Sequence, residues 1–434
     1  MNRRHFLGAM SWPAAAAAAG GLLPSGRANA LEVAEEVAAY PGTASEVVDD
    51  EYFWNQVRQA FSSEAGIINL NSGGVSPSPV PVQEAMKRYL DYSNTSPTYA
   101  MWQILEPQRE QVRERMAREW GVDSEEVALV RNASEGLQIC QLGLDLEPGD
   151  EILTTNQDYG RMITTWQQRE RREGLVLRQI SIPVPAEDDD EIVRLFESNI
   201  TPRTRVIHMC HIINLTGQIL PVAKVTNMAR KHGIEVIVDG AHALAHFDFK
   251  ISDLECDYYA TSLHKWLFAP HGTGLLYVRR NKIANLWPMM AAPARMDDDI
   301  RKFEEIGTHP AANYLGIGDA LTFHQGIGSL RKTARLVYLR DYHLNRLMDF
   351  SDRVQVSTSQ TPGKAAGIST VGVEGIDTSE LNSWLWREHK IISVGINHAE
   401  FTGLRISPSV FTTLEELDRF CDAIEHAIRH GIAA

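Results

Sequence analysis

The chain has 434 residues, with 42 Lys and Arg against 56 Asp and Glu, a formal net charge of −14 and 44% hydrophobic residues. This length is too great for one compact core and fits two domains, and the apolar fraction is ample for burial. The acidic balance argues against nucleic acid or anionic lipid as the main partner and favours a small molecule.

The first 30 residues have the pattern of an export signal. The run NRRHFL (2–7) precedes an apolar, alanine-rich stretch (8–23), and ANA (28–30) supplies the small residues after which a signal peptidase cuts. The pattern resembles a twin-arginine signal, and it predicts export by the twin-arginine machinery, cleavage after Ala30 and a periplasmic or secreted protein. A membrane anchor or a chance pair of arginines is the alternative, but the stretch is short and rich in alanine, so no stable membrane insertion is expected.

Strands and helices alternate after a polar lead-in. Strands are predicted at about 66–71, 127–130, 151–154, 205–208 and 235–238, and helices at about 106–120, after 134 and at 222–231. Strands separated by helices imply parallel pairing and an α/β domain. Beyond about residue 320 a long helix, short strands and a final amphipathic helix (414–428) indicate a smaller α+β domain. The predicted division is 31–75 as an N-terminal segment packing on the small domain, 76–315 as the large domain, and 316–434 as the small domain.

Three features at the predicted strand ends suggest a phosphate-bearing cofactor. Ser134 opens a helix after the strand 127–130, and helix N-termini bind phosphate, although an ordinary helix cap has the same pattern. Asp239 follows a run of buried apolar residues, where an acid needs a cationic partner. Lys265 lies among apolar and aromatic residues, where burial favours a neutral amine; taken alone, it could equally be a surface lysine. A phosphate cradle, a partner for a pyridinium nitrogen and a Schiff-base amine together predict pyridoxal phosphate.

Three ordered motifs carry a family resemblance. DGAH (239–242), SLHK (262–265) and FEEIGT (303–308) resemble those of class V aminotransferases, the fold-type I group that includes cysteine desulfurases and isopenicillin N epimerase. The resemblance extends from about residue 69 to about 428. It implies an α/β fold: a large domain with a mainly parallel seven-stranded sheet flanked by helices, and a smaller α+β C-terminal domain.

The resemblance also assigns residues to roles. It implies that Lys265 holds pyridoxal 5'-phosphate as a Schiff base and then acts as acid and base at the substrate Cα. Asp239 would keep the pyridine nitrogen protonated, and His242 and Asn214 would lie near the ring hydroxyl. The positions that match phosphate ligands are Ala133, Ser134, Ser262 and His264.

Two further matches concern the substrate and a second subunit. Thr308 matches a threonine that reaches the cofactor phosphate of the neighbouring subunit, which implies a homodimer with shared active sites. Arg405 matches the arginine that binds the substrate α-carboxylate, a role suited to a planar guanidinium. No metal is expected.

Departures from the family pattern bear on the reaction. Tyr159 stands where cysteine desulfurases have the histidine that stacks on the cofactor, so stacking is kept and a proton-transferring imidazole is lost. The segment 393–402, where a desulfurase has its nucleophilic cysteine, contains none, and Cys421 is the nearest one downstream. These features, with Gly307-Thr308-His309, look most like the isopenicillin N epimerase branch.

The predicted function is therefore that of a pyridoxal-phosphate enzyme acting at Cα of an amino acid or amino-acid-containing metabolite. The resemblance implies an external aldimine and a quinonoid, after which epimerisation, transamination or loss of a β-group all remain open. Tailoring of a secreted peptide metabolite such as a siderophore, C–S or β-lyase activity, and an inactive binding protein on the same fold are the alternatives. Candidates for the side-chain pocket are Tyr99, Met101, Trp102 and Arg161.

Overall fold

The computed structural model describes residues 35–62, 64 and 66–432. The export signal predicted for residues 1–30 lies outside this part of the chain. None of the helices within the described ranges combines the length and apolar character that crossing a membrane requires.

A seven-stranded sheet forms the centre of the molecule. The strands of the chain are β1 Ile68–Asn69, β2 Val127–Val130, β3 Glu151–Thr155, β4 Val176–Ile180, β5 Thr204–Cys210, β6 Glu235–Asp239, β7 Tyr258–Ser262, β8 Gly274–Val278, β9 Val354–Val356, β10 Ser369–Val373, β11 Ile391–Ile392, β12 Val394–Asn397 and β13 Thr402–Ile406. The sheet has the order β2-β8-β7-β6-β5-β3-β4. Strands β3 to β7 pair in parallel and β8 pairs antiparallel with both β7 and β2, so the mainly parallel sheet predicted from the sequence is confirmed.

Helices cover both faces of this sheet and continue into the C-terminal part. They are α1 Ala44–Val47, α2 Glu51–Gln59, α3 Val80–Thr95, α4 Pro97–Tyr99, α5 Arg109–Glu119, α6 Ala133–Gly143, α7 Gly160–Glu173, α8 Asp189–Ser198, α9 Val222–Lys231, α10 Ile251–Leu254, α11 Ala311–Ile327, α12 Ser329–Phe350, α13 Thr378–His389 and α14 Leu414–His430. The helix predicted over 106–120 begins at Arg109, because Glu106–Gln108 form a tighter turn that contains Pro107.

The central strands are buried on both faces of the sheet, and their sequences are therefore continuous runs of apolar residues. All four residues of β2 and the last four residues of β6 are buried. Helix α6 lies close to the sheet because Gly136 has no side chain: a Cβ there would come within 2.8 Å of the Cβ of Ala260. This close approach fixes the helix N-terminus beside the end of the neighbouring strand.

A second, antiparallel sheet has the order β12-β13-β10-β9. Helices α12 and α14 share an apolar cluster with it that includes Leu344, Leu347 and Phe420. Strand β1 pairs in parallel with β11, and Asn71 bridges to Ser407, so the chain before the large sheet contacts this second unit. The exact division into domains stays a prediction.

The carboxyl ends of the parallel strands meet at one edge of the large sheet. Cys210 at the end of β5 is the register partner of Asp239 at the end of β6, and Asp239 is paired with Ala260 of β7. Helix α6 begins beside the same edge. Crevices at this edge are where open α/β sheets bind their ligands.

Candidate active site

A cavity of about 340 Å³ opens at this edge. It is lined by Gly73, Gly74, Asn132, Ala133, Ser134, Leu137, Tyr159, Cys210, Ile212, Asn214, Asp239, Ala241, His242, Ser262, His264, Lys265 and Arg405. The fold thus gathers all the residues predicted for catalysis, the cofactor and the substrate carboxylate except Thr308, which is exposed and does not line the cavity within its own chain.

The N-terminus of α6 forms one end of the cavity. Asn132 caps the helix, accepting at Oδ1 from the backbone N–H of Glu135 (2.9 Å), and the N–H of Ala133 donates to Oγ of Ser262 (3.0 Å). His264 donates from Nδ1 to the carbonyl of Thr273 (3.2 Å), and burial lowers its pKa to about 4, so the imidazole is neutral. Hydroxyls and helix N–H groups are suitable donors to a phosphate. A phosphate anion beside His264 would favour its protonated form, which has a second N–H to donate.

Asp239 and Lys265 both line the cavity and interact electrostatically. Asp239 is 4% exposed and accepts at Oδ1 from the backbone N–H of Ala241 (2.9 Å). Burial raises the pKa of the Asp239 carboxyl, and the nearby Lys265 opposes that shift. Burial likewise lowers the pKa of the Lys265 amine, against the attraction of Asp239. Lys265 is therefore deprotonated more readily than a surface lysine.

His242 contacts the lysine directly. Its Nε2 lies 2.9 Å from Lys265 Nζ, and burial together with the lysine charge lowers its pKa well below the usual value. A neutral imidazole can accept at Nε2 from the lysine and donate from Nδ1. The backbone behind it is held by His246, whose Nδ1 donates to the His242 carbonyl (2.8 Å) while its Nε2 accepts from the N–H of Gly367 (2.8 Å).

Arg405 enters the cavity from β13. It is 7% exposed and donates from Nη2 to Oδ1 of Asn71 (2.7 Å) and from Nη1 to the carbonyl of Asn214 (3.2 Å). Within the described chain it has no carboxylate at ion-pair distance, and burial lowers the pKa of the guanidinium. A buried cation without a counterion is costly, so this arrangement favours an anionic ligand.

Tyr159 contributes an aromatic side chain to the cavity. It occupies the N-cap position of α7 and remains 38% exposed. The preceding residue, Asp158, is buried and accepts at Oδ2 from the hydroxyls of Thr154 (2.9 Å) and Thr155 (2.7 Å). The turn that presents Tyr159 is therefore rigidly attached to the end of β3.

Unpaired polar atoms of the cavity show that these residues fit pyridoxal phosphate. Oδ1 of Asn214, Nδ1 of His242 and Nε of Arg405 are buried and lack hydrogen-bond partners in the described structure. Such atoms cost free energy unless a ligand satisfies them. With the carboxyl of Asp239, the amine of Lys265 and the phosphate-binding helix end, they supply partners for each polar part of this cofactor.

Sequence reasoning missed some residues of the cavity. Cys210 is 2% exposed, and burial, reinforced by the carboxylates of Asp158 and Asp239, raises its pKa well above the usual value, which keeps the thiol protonated. Its place at the end of β5 was a usable signal. Gly73 and Gly74 come from a turn far away in the sequence, and no local pattern marks them. Asn71 of the same turn does not line the cavity but contacts Arg405, which does. The side-chain pocket candidates Tyr99, Met101, Trp102 and Arg161 do not line this cavity.

Comparison with known proteins gives the family. Residues 68–420 match the family described as Aminotransferase class-V. The chain is 30% identical over 389 residues to an isopenicillin N epimerase from Streptomyces clavuligerus, covering 86% of this chain and 98% of that protein. It is 26% identical over 326 residues to a cysteine desulfurase from Haloferax volcanii, covering 70% and 74% of the two chains.

Solved structures show the same architecture. A complex of the cystine C–S lyase C-DES with cysteine persulfide aligns with a TM-score of 0.75 and 25% identity over 83% of this chain and 98% of that chain. A C-DES variant with glycine linked to its pyridoxal-phosphate cofactor aligns with a TM-score of 0.76 and 24% identity, over 85% and 98% of the chains. These neighbours confirm the predicted fold-type I architecture. The match over residues 68–420 and the 30% identity to isopenicillin N epimerase show that the chain belongs to the class V aminotransferase family.

Proposed function

We propose that this protein is a pyridoxal-phosphate enzyme that moves a proton at Cα of an amino acid or of a compound containing one, in the manner of isopenicillin N epimerase. The observation that carries the proposal is the single cavity in which Lys265, Asp239 and Arg405 meet. A lysine of lowered pKa, a buried carboxyl of raised pKa and a guanidinium without a counterion in one cavity are typical of a functional site.

The cofactor is pyridoxal phosphate, which is the cofactor of the family and which the polar groups of the cavity fit. When bound, it supplies an electron sink for the charge left on Cα after a bond there is broken. The phosphate would be held by the end of α6 together with Ser262 and His264. Asp239 would hold the ring nitrogen in its protonated form, and His242 and Asn214 would face the ring hydroxyl.

Lys265 is the group that moves the proton. Burial lowers the pKa of its amine, so the amine can accept a proton from Cα and return it. His242, at 2.9 Å from Lys265 Nζ, restrains the position of the amine and stays neutral, so it adds no competing charge. Arg405 binds the substrate carboxylate and thereby fixes the orientation of Cα relative to Lys265.

Two features favour proton transfer over sulfur transfer. The hairpin β12–β13, which corresponds to the cysteine-bearing segment of desulfurases, has no cysteine, and the cavity cysteine Cys210 is buried and protonated. The 30% identity to isopenicillin N epimerase supports the same choice. Loss of a β-group is the second candidate, since the aligned C-DES is described as a cystine C–S lyase.

Location and assembly are part of the proposal. The twin-arginine pattern supports export with cleavage after Ala30, and the exported enzyme would tailor the amino-acid part of a secreted metabolite. Thr308 is exposed outside the cavity of its own chain, which supports a role in the active site of a second subunit in a homodimer.

A solvent-deuterium exchange screen tests the reaction. Purified holoenzyme is incubated in D2O with amino acids of both configurations and with N-acylated and peptide-linked amino acids. Deuterium at Cα with inversion supports epimerisation, and deuterium with a keto product supports transamination. Release of sulfide or another β-group without Cα label in recovered substrate would favour the lyase. A protein that holds the cofactor but exchanges no Cα hydrogen in any of these compounds would contradict the proposal.

A further inference from the structure

The tip of the β12–β13 hairpin reaches across from the second sheet to the large sheet. Strand β12 pairs with β13 up to the register pair Asn397 and Thr402, and residues 398–401 form the tip, closed by a hydrogen bond from the N–H of His398 to the carbonyl of Phe401 (3.0 Å). The tip contacts Asn156 and Gln157 in the turn 156–159, which connects β3 to α7. This contact joins two elements that line the same cavity.

The contact is made by two side chains of the tip. Glu400 accepts at Oε1 from Nδ2 of Asn156 (2.8 Å) and at Oε2 from Nε2 of Gln157 (3.3 Å). His398 donates from Nε2 to the carbonyl of Asn156 (3.1 Å), while its Nδ1 accepts from the N–H of Glu400 (3.2 Å). Both ring nitrogens are therefore engaged in fixed roles, and both carboxylate oxygens hold the same turn.

The turn that is held ends in Tyr159. Gln157 is 1% exposed, and it also donates to the carbonyl of Ile182 (3.1 Å), so this part of the turn has little freedom. The phenol of Tyr159 makes no hydrogen bond to any residue that the structure describes. The position of its ring therefore depends on the backbone behind it, which the hairpin tip restrains.

The same hairpin carries Arg405. Four residues after Phe401, Arg405 lies in β13 opposite Val394 of β12, and its guanidinium is close enough to Tyr159 for the two to interact electrostatically. One rigid antiparallel hairpin thus holds the carboxylate-binding residue in its second strand and restrains the aromatic residue through its tip.

We propose that Glu400 and His398 are positioning residues that clamp Tyr159 over the cofactor site and couple its position to the carboxylate-binding Arg405. The inference rests on the proposed function, because the ring that Tyr159 would face is that of bound pyridoxal phosphate. The β12–β13 hairpin has no cysteine that could act as a nucleophile. Its proposed role is instead to fix the position of Tyr159 in the cavity.

The test compares Glu400→Ala with a matched control in the same hairpin. Asn397→Ala removes a side chain that donates to Oγ of Ser379 (3.0 Å) and makes no hydrogen bond to the turn 156–159. Three quantities are measured on holoenzyme: the visible circular dichroism of the bound cofactor, the apparent affinity for glycine from the cofactor absorbance, and the thermal midpoint. Glycine is the probe because it has an amine and a carboxylate and no side chain.

We expect Glu400→Ala to change the visible circular dichroism and to weaken glycine binding about 5-fold, within the range for residues coupled by contact. Glu400→Gln keeps one acceptor and should give an intermediate value, and Asn397→Ala should match the wild type. In a Tyr159→Leu background, Glu400→Ala should add less than about 1.5-fold, because its effect passes through Tyr159.

Other results would overturn the clamp. Glu400→Ala could have the same effect with and without Tyr159, or the same effect as Asn397→Ala. Either result would show that the Glu400 contact only stabilises the fold and does not position Tyr159. If both Glu400 variants keep the wild-type circular dichroism and glycine affinity, Glu400 has no role in positioning Tyr159. Before these measurements the wild-type holoenzyme is treated with borohydride. Absence of a reducible cofactor band would refute the proposed function, and this outcome is distinct from a failure of the clamp.

Discussion

Nη2 of Arg405 donates a 2.7 Å hydrogen bond to Oδ1 of Asn71, a residue 334 positions earlier in the chain. The amide orients the guanidinium without neutralising it, and no carboxylate of the described chain pairs with it. The arginine thus keeps its charge for a ligand while its direction is already set, which reduces the entropy lost when a carboxylate binds.

Arg405→Met is expected to separate carboxylate binding from folding. Removing the guanidinium should weaken glycine binding by about 10- to 100-fold, the value of one or two charge-assisted hydrogen bonds. The thermal midpoint should fall by no more than a few degrees, because the change also removes a buried unpaired charge. Spectral titration of holoenzyme and thermal unfolding measure the two effects.

Methylamine is the control for Arg405→Met, since it has an amine and no carboxylate. Its apparent affinity should be the same in the wild type and the variant. If Arg405→Met weakens the binding of methylamine and of glycine equally, Arg405 acts on the amine or on the cofactor and not on a carboxylate.

Lys265→Ala should abolish the borohydride-reducible absorbance band, because no other amine would hold the cofactor covalently. Lys364→Ala is the matched control: its ammonium pairs with Asp189, away from the cavity. The measurement is absorbance before and after reduction, followed by peptide mapping of the reduced protein. A reduced cofactor on Lys332, which is buried and donates to the Trp266 carbonyl, would contradict the assignment.

Capture of the cofactor by apoprotein should depend on pH with a midpoint well below 10.5, since only the neutral amine attacks an aldehyde and burial lowers the pKa of Lys265. The charge of Asp239 raises the pKa of Lys265, and the charge of Arg405 lowers it. Cys210 would raise the pKa of Lys265 only as a thiolate. Asp239→Asn removes a negative charge and should therefore move the midpoint down by roughly one pH unit. The rate of appearance of the absorbance band, measured from pH 6 to 10, checks this. A midpoint that moves upward in Asp239→Asn would show that its carboxyl does not act on Lys265 by charge.

Glu304→Ala should destabilise the fold by about 3 kcal/mol, because the buried guanidinium of Arg113 loses its buried carboxylate and keeps only Glu110 as a charged partner. Arg113 is fully buried and donates to both carboxylate oxygens of Glu304 (2.5 and 2.8 Å), and Glu304 also accepts from the N–H of Leu129. The free energy of unfolding in urea measures the loss. The double variant Arg113→Met, Glu304→Leu should recover part of it, and a double variant as unstable as the sum of the singles would contradict the pair.

Mixing two defective proteins tests the shared site. Thr308→Ala should weaken cofactor binding about 10-fold by removing one hydrogen bond to the phosphate, and Lys265→Ala prevents covalent binding. If Thr308 serves the other subunit, a heterodimer of the two variants contains one site with both residues intact. Cofactor retention at low concentration should therefore reappear after co-refolding, and its failure to reappear would place both residues in the same subunit's site.

Part of the site could be read from the sequence because its signals are local. Lys265 among apolar neighbours and Asp239 at the end of a buried strand are unusual residue types for their surroundings, and burial alone makes them chemically informative. The alternation of strands and helices gave the mainly parallel sheet, since crossover connections leave few topologies open.

Contacts between residues that are distant in the sequence could be identified only from the tertiary structure. Cys210 lies in the cavity because of its register with Asp239, and Asn71 reaches Arg405 across 334 residues. The contact of Glu400 with the turn before Tyr159 also depends on how the two sheets sit against each other. The sequence by itself determined the chemistry of individual groups, because ionisation and nucleophilicity follow from residue type and local burial. Their distances and pairings came only from the packing of distant elements.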